Sequence, residues 1–383
     1  MNGEAHDEAV RILEKLESIL DPEQQQSIRK RHTQSARWEH IDRPPVLLMP
    51  PWDQPTAGLY PVSEAVQDPA KMLVNELRRG QSVIEDWVAV KDDRPLQVRP
   101  DFGIGLIASV FGGNVEVVEN NPPWVRPVEA DIETYFAKQL DRIDPHTAHQ
   151  VGWLPRVAET LDYYKSLFAV YPRVASCVAI ALPDLQGPFE TAGMVWGSDI
   201  FAALIAAPDL VDRLLAAISA TMVHLHDWLR KWIGHELLPE GFSHQHGAII
   251  RGNLLLRCDS NVMMRRDMYA AQVFTHDCWV LRTIGGGAFH SCGRWTHNMP
   301  LVCAAPEVGS LDLGTGQTNM YDIDEVYRLA RQRQKHLNLI EVSPEELTSG
   351  GARKRFPTGV TLHCTVPDTR SAAETMRHYV ESA

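Results

Sequence analysis

The sequence predicts a (β/α)8 barrel over residues 41–383, behind a helical N-terminal extension over residues 1–40. Three features carry that expectation. From about residue 174 onward, apolar runs ending in Gly, Asp, His or Cys alternate with longer stretches of helical period, which is the succession of βα units. Several of the runs are almost wholly apolar, as strands must be in a parallel sheet covered on both faces. The polar residues collect just past the ends of those runs, where a ring of strands would gather them on one face.

In chain order, residues 7–20 place Ala9, Ile12, Leu13, Leu16, Ile19 and Leu20 on one helical face, and Asp21-Pro22 reads as a cap with proline opening a second helix. Val46 to Met49, bracketed by prolines, reads as the buried strand that begins the barrel. Residues 89–128 are loop-like and read as a substrate-side insertion or a long excursion. Residues 174–182 read as a strand whose exit loop carries Asp184 and Gln186. Pro208 opens a long helix that buries Val211, Leu214, Leu215, Ile218, Met222 and Leu225. Further strands are expected at 248–256, 287–290, 310–313, 337–342 and 360–364.

The chain has 383 residues and a formal charge of -12 with no basic cluster, which argues against a nucleic-acid partner. The N-terminal residues lack a basic region followed by an apolar one, and no window is long enough to span a membrane, so a soluble cytoplasmic protein is expected. Six scattered cysteines in a chain of this length read as reduced thiols rather than a disulfide framework. The glycine clusters match neither a dinucleotide fingerprint nor a P-loop, and no Gly-x-Ser-x-Gly elbow is present.

The pattern with most chemical content is His290-Ser291-Cys292, which closes an apolar run after three glycines and is followed by Gly293. Alternate residues of a strand point to one side, so an imidazole and a thiolate can converge on one metal. Cys364 sits at the end of the last apolar run and completes a three-ligand zinc site, His290, Cys292 and Cys364. Three protein ligands leave a coordination position open for chemistry, whereas a structural site is usually closed by four. His244 and His246 have the same spacing and are a rival pair: they complete the zinc shell, touch substrate, or are simply loop histidines. Asp184 with Gln186, and Asp259 with Asn261, follow strand ends and are candidates for holding polar substrate atoms or orienting a ligand histidine, with helix capping as the plain alternative. Asp312 with Gln317 is a weaker candidate of the same kind, because Leu313-Gly314-Thr315-Gly316 reads equally as a turn.

The segments Asp184-Leu185-Gln186-Gly187-Pro188-Phe189, Cys258-Asp259-Ser260-Asn261, His290-Ser291-Cys292-Gly293 and Cys364-Thr365-Val366-Pro367-Asp368-Thr369 occur in an order that resembles the uroporphyrinogen decarboxylase superfamily. Within it, His-x-Cys with a distant cysteine is similar to the zinc-dependent methylcobamide:thiol methyltransferases of the coenzyme M type. The resemblance covers roughly residues 40–383 and implies a (β/α)8 barrel, zinc as cofactor, and a corrinoid (methylcobalamin) as methyl carrier. It implies a methyl group moved between that corrinoid and a thiol or other small substrate at zinc. In the opposite direction, a methoxylated or methylamine-like donor would be demethylated onto reduced corrinoid. Asp259 and Asp184 would orient reacting groups, and Gln186, Asn261, His244 and His246 would contact substrate. The corrinoid is expected on a separate protein, since no Asp-x-His-x-x-Gly segment is present. True decarboxylases of the superfamily hold a polycarboxylate with an arginine-rich N-terminal motif; Arg43 is the one arginine in the matching stretch, residues 43–52, which disfavours that lyase activity. A barrel that binds zinc or a tetrapyrrole without catalysis is the remaining alternative.

Overall fold

A computed structural model describes residues 3–50, 58–79, 85–118, 120–234 and 237–382. Pro51 and Trp52, at the end of the stretch compared with the decarboxylase motif, lie outside the described residues. Twelve strands are present among those described: β1 Val46–Met49, β2 Gln97–Val98, β3 Asn114–Glu116, β4 Trp124–Arg126, β5 Ala179–Ile180, β6 Phe242–Gln245, β7 Ala248–Arg251, β8 Leu255–Arg257, β9 Gly287–His290, β10 Val308–Asp312, β11 His336–Glu341 and β12 Val360–Thr365. Six form a parallel sheet in the order β1-β12-β11-β10-β9-β8, and β2 pairs with β5, also in parallel. These eight parallel strands follow one another in cyclic sequence order, as in a barrel, but the backbone ladder does not close into one ring.

At one gap, between β1 and β2, aspartate side chains take the place of a neighbouring strand. Val46 N donates to Asp93 Oδ2 at 3.0 Å and Leu48 N donates to Asp92 Oδ2 at 2.9 Å. Buried backbone donors must be paired, and here carboxylates supply the acceptors that a ladder would have supplied. At the other gap, Arg257 N at the end of β8 donates to Gln186 O at 3.4 Å, in the segment leaving β5. The closed ring read from the sequence is thus corrected to a barrel-like arrangement of a six-stranded and a two-stranded sheet.

The N-terminal helices form as expected, Gly3–Ile19 and Pro22–Ala36, with the Asp21 carboxylate accepting from Glu23 N and Gln24 N. They belong to the same packing as the sheet: Ala9, Leu13 and Leu16 are fully buried in the main core, and Ser35 Oγ donates to Val360 O at 2.7 Å. The long helix is Pro208–Ile233, buried along the face the periodicity indicates. None of the helices among the described residues is long and apolar enough to cross a membrane.

Two strand readings fail. Residues 172–177 are helical, Pro172–Cys177, and only Ala179–Ile180 is strand, so Cys177 ends a helix instead of sitting mid-strand. Proline at the first turn of a helix, with its missing N–H and fixed φ, explains why an apolar run turns helical there. Residues 248–256 divide into β7 and β8 at Gly252, whose φ of 130° is open to glycine, and whose missing Cβ would lie 2.2 Å from the Cα of Gly287. β7 is antiparallel to β6, and the hairpin turns inward: Ala248 clusters with Leu47, Met49 and Leu339, and Ile250 with Leu255 and Ala288. It fills the space between strands of the wall. Residues 89–128, read as an insertion or a long excursion, contribute β2 to the parallel set and a separate small hairpin, β3–β4.

Candidate metal centre

Strand ends build the site. β9 ends in His290, β8 is followed by Asp259, and β10 ends in Asp312, and Arg257 and Asp312 are the residues that pair with His290 across the two ladders. The ligand atoms of Asp259, His290 and Cys292 all lie within 4.8 Å of one another, and among the described residues they are the one such group of potential metal donors. His290 Nε2 is 3.3 Å from Cys292 Sγ and 3.4 Å from Asp259 Oδ1. Zinc bond lengths and a tetrahedral angle place nitrogen and sulfur about 3.6 Å apart, and nitrogen and oxygen about 3.4 Å apart, so the donor spacing fits that ion.

The imidazole is aimed from behind. Asp312 Oδ1 lies 2.9 Å from His290 Nδ1, and is itself fixed by Gly314 N at 2.9 Å, while Asn338 Nδ2 donates to Oδ2 at 2.9 Å. A carboxylate on Nδ1 leaves Nε2 as the metal-facing nitrogen and fixes the ring plane, the usual support of a ligating histidine. Burial disfavours a charged imidazole, but the Asp312 carboxylate outweighs it and raises the His290 pKa to about 10. Burial would raise the Asp312 carboxyl; the neighbouring His290 and its hydrogen bonds hold it well below the usual range. Asp259 Oδ1 also accepts from Cys292 N at 2.7 Å, which ties the two ligand-bearing segments together.

Cys364 is not part of this group. In β12 it is paired with Leu48, and both lie in the main apolar core, with Cys364 fully buried. His363, one residue earlier, is paired with Leu47, which lines the cavity. Strand parity therefore turns the sulfur at 364 away from His290 and Cys292, and the expected third ligand is corrected. Burial pushes its thiol up to about 12, in keeping with a packed, protonated cysteine. Asp259 stands in the third place instead.

The group opens into a cavity of about 290 Å³ whose wall includes Leu47, Met49, Leu255 and Leu339, the cations Arg94 and Arg257, and His246, His290, Cys292, Asp312 and Gln317. The two histidines read as a rival pair are separated. His246 and Gly247, with φ of 47° and 81°, form the tight turn of the β6–β7 hairpin, where both central residues must be left-handed. That turn brings His246 to the cavity, 3.3 Å from Asp184 Oδ2 and against Arg99. Burial together with Arg99 and Arg257 lowers its pKa to about 3, so it is neutral. His244, still on β6, lines a separate small cavity with Ile180, Leu182 and Arg230.

Asp184 is buried and ionised. Burial works against its charge, but Arg257, with Nε 3.1 Å from Oδ2, and His246 keep its carboxyl far below the ordinary range. Gln186 donates through its side chain to Asp184 Oδ1 at 2.8 Å, and its backbone bridges to β8. Asn261 is fully buried and donates to Cys258 O and Ser291 Oγ, both at 2.6 Å, buttressing the His290–Cys292 turn without lining the cavity. Asp312 ranked low in the sequence and proves to be the partner of His290; its signal was a lone carboxylate ending an apolar run. Arg257 and Arg94 went unnoticed, since single arginines beside strands carry no spacing signal.

A solved structure described as a methyltransferase from Methanosarcina mazei superposes with a TM-score of 0.61 over 92% of this chain and 98% of that chain, at 12% sequence identity. At that identity the likeness is one of fold. No protein-family model matches the sequence, and no curated protein matches it either.

Proposed function

We propose that the protein is a zinc-dependent methyltransferase that moves a methyl group between a corrinoid and a thiol or other small substrate. The observation that carries this reading is the convergence of Asp259 with His290 and Cys292, the latter two in the cavity wall, with Asp312 orienting the imidazole. The fold shared with a methyltransferase supports it. Those three residues would hold zinc, which when bound supplies a Lewis-acid point that takes a substrate thiol as its thiolate at neutral pH. Arg257, paired at Nε with Asp184, gives the cavity a fixed cation for an acidic group of the substrate. Leu47, Met49, Leu255 and Leu339 surround the substrate with apolar wall and limit water. A cavity of about 290 Å³ suits a small thiol and is too small for a corrin macrocycle, in line with a corrinoid presented at its mouth by a separate protein. A corrinoid presented there would supply the methyl group, and its transfer to a thiolate sulfur would leave the former carbon–metal bonding pair with the corrinoid.

The test is tightly held zinc in wild type, Cys292→Ala and Cys364→Ala, measured alongside demethylation of methylcobalamin by a simple thiol. Wild type and Cys364→Ala are expected to retain zinc, and Cys292→Ala to lose both zinc and transfer. Full zinc in Cys292→Ala, or zinc-loaded protein that methylates none of a panel of small thiols, overturns the reading.

A further inference from the structure

A second group of imidazoles lies on the outer helical layer, made of residues that play no part in the metal centre. The 3-10 turn Pro145–Gln150 packs on the long helix Pro208–Ile233, and it brings His146 and His149 to His224. Ring centroids are 4.9 Å apart for His146 and His224, and 6.1 Å apart for His149 and His224. Imidazoles that share one cation at about 2.0–2.1 Å have ring centres about 5–6 Å apart, close to the two ring separations seen here.

Each ring is placed for a reason. Asp144 caps the turn by accepting from His146 N at 2.9 Å, which fixes where His146 begins. His149 stacks on Trp228 with centroids 5.2 Å apart, and Trp228 is backed in turn by Trp232 at 5.3 Å. The Nδ1 atom of His149 is buried with no hydrogen-bond partner, a costly state for a ring nitrogen unless something binds it. Burial, and then the neighbouring His146 and His149, lower the His224 pKa against the smaller pull of Asp227 and Asp144, so its ring is held neutral and able to ligate. The three sets of donor atoms are not all within 4.8 Å of one another. Convergence needs rotation about the Cβ–Cγ bonds, a soft torsion in histidine, and His146 is exposed and free to make it.

We propose that His146, His149 and His224 form a binding site for a borderline divalent transition cation, of the zinc, nickel or copper(II) class that imidazole ligands select. The ion staples the 145–150 turn to the long helix, two segments far apart in sequence, and stabilises the folded chain by binding to it alone.

The probe is Ni2+ alone, added to the full chain and followed by calorimetric titration and by the melting temperature. Wild type and Cys292→Ala should both bind at this site and melt higher with Ni2+. His146→Ala and His224→Ala should each bind at least about tenfold more weakly and lose the thermal shift. If both variants, folded by circular dichroism, titrate and melt as wild type does, the site is refuted; His146 is exposed, so its variant decides alone should His224→Ala fail to fold. A site lost in Cys292→Ala but kept in His146→Ala also refutes it, and leaves the metal centre at Cys292 untouched.

Discussion

The parallel sheet buries His290 at its cavity end and His32 and His336 at the other, and it shifts the first imidazole's pKa up and the other two down. At the cavity end, His290 faces the Asp312 carboxylate at 2.9 Å and its pKa rises to about 10. At the other end, His32 and His336 share the Thr361 hydroxyl, at 3.3 and 3.1 Å, and otherwise meet a backbone carbonyl or Ser310. Burial dominates there and their pKa values fall to about 4 and about 3. All three rings are buried, so depth does not separate them. What separates them is a carboxylate within bonding distance of one ring, which outweighs desolvation, against neutral oxygens that do not. The difference belongs to each ring's own neighbours and not to the whole end: His246, at the cavity and 3.3 Å from Asp184, is still lowered to about 3 by burial with Arg99 and Arg257 beside it.

The largest expected consequence is loss of stability in mild acid. A histidine whose native pKa lies below its unfolded value binds fewer protons when folded, so its contribution is present above about pH 6.5 and is lost as pH falls toward the native value. His32 and His336 act in this sense, joined by His363 at about 4 and His246 at about 3. Over the two pH units from 6.5 to 4.5 each loses at most about 3 kcal/mol. Asp277 and Glu76, both raised to about 7 by burial, act in the opposite sense, gaining stability as pH falls from 7 toward 4. Burial also lowers His224 and His226 and raises Asp92 and Glu190, so six histidines stand against four carboxyls and a net loss remains. Urea unfolding at pH 7, 6, 5 and 4.5 should show a steadily falling midpoint below about pH 6.5; a midpoint constant over that range would mean that the inner histidines are charged or solvated.

A smaller effect is expected from removing the charge behind His290. Asp312→Asn keeps the size of the side chain and an acceptor oxygen but abolishes the carboxylate that fixes the ring. Such supporting partners typically govern metal affinity by about 10–100-fold, or about 1.4–2.7 kcal/mol. Competition with a chromophoric chelator should show zinc bound more weakly by that factor. Affinity equal to wild type would place the orienting role elsewhere and make the contrast between the two ends incidental.

The parts of this arrangement written in local sequence were legible, and those set by strand phase were not. His290 and Cys292 stand out because their one-residue spacing closes an apolar run between glycines, a context His244 and His246 lack, whereas Asp259 was marked by its place after β8 only as an orienting residue and not as a ligand. Cys364 misled because β12 carries His363 and Cys364 side by side, and nothing local says which of the two faces inward; pairing with Leu47 and Leu48 decides it. The gap between β1 and β2 depends on Asp92 and Asp93 reaching across to backbone donors some 45 residues away in sequence, a contact with no periodicity. The inward hairpin turns on Gly252 lying against Gly287, a close approach of two glycines that an apolar run conceals.

His363 offers the finest test, with the smallest expected change. It is 1% exposed, and neither ring nitrogen finds a hydrogen-bond partner among the described residues. Burial, then the nearby Arg94 cation, lowers its pKa to about 4. An unsatisfied buried polar group costs about 1–3 kcal/mol, whereas an apolar side chain of similar volume costs nothing of that kind. His363→Leu should therefore be as stable as wild type at pH 7, or more stable by about 1 kcal/mol, and its midpoint should fall less steeply between pH 6.5 and 4 because one of the opposing histidines is gone. A variant more than about 2 kcal/mol less stable at pH 7 would show that His363 has a partner worth that much. It would then belong with His290, as an inward-facing histidine held for use, and the two ends of the sheet would be less different than their carboxylates make them.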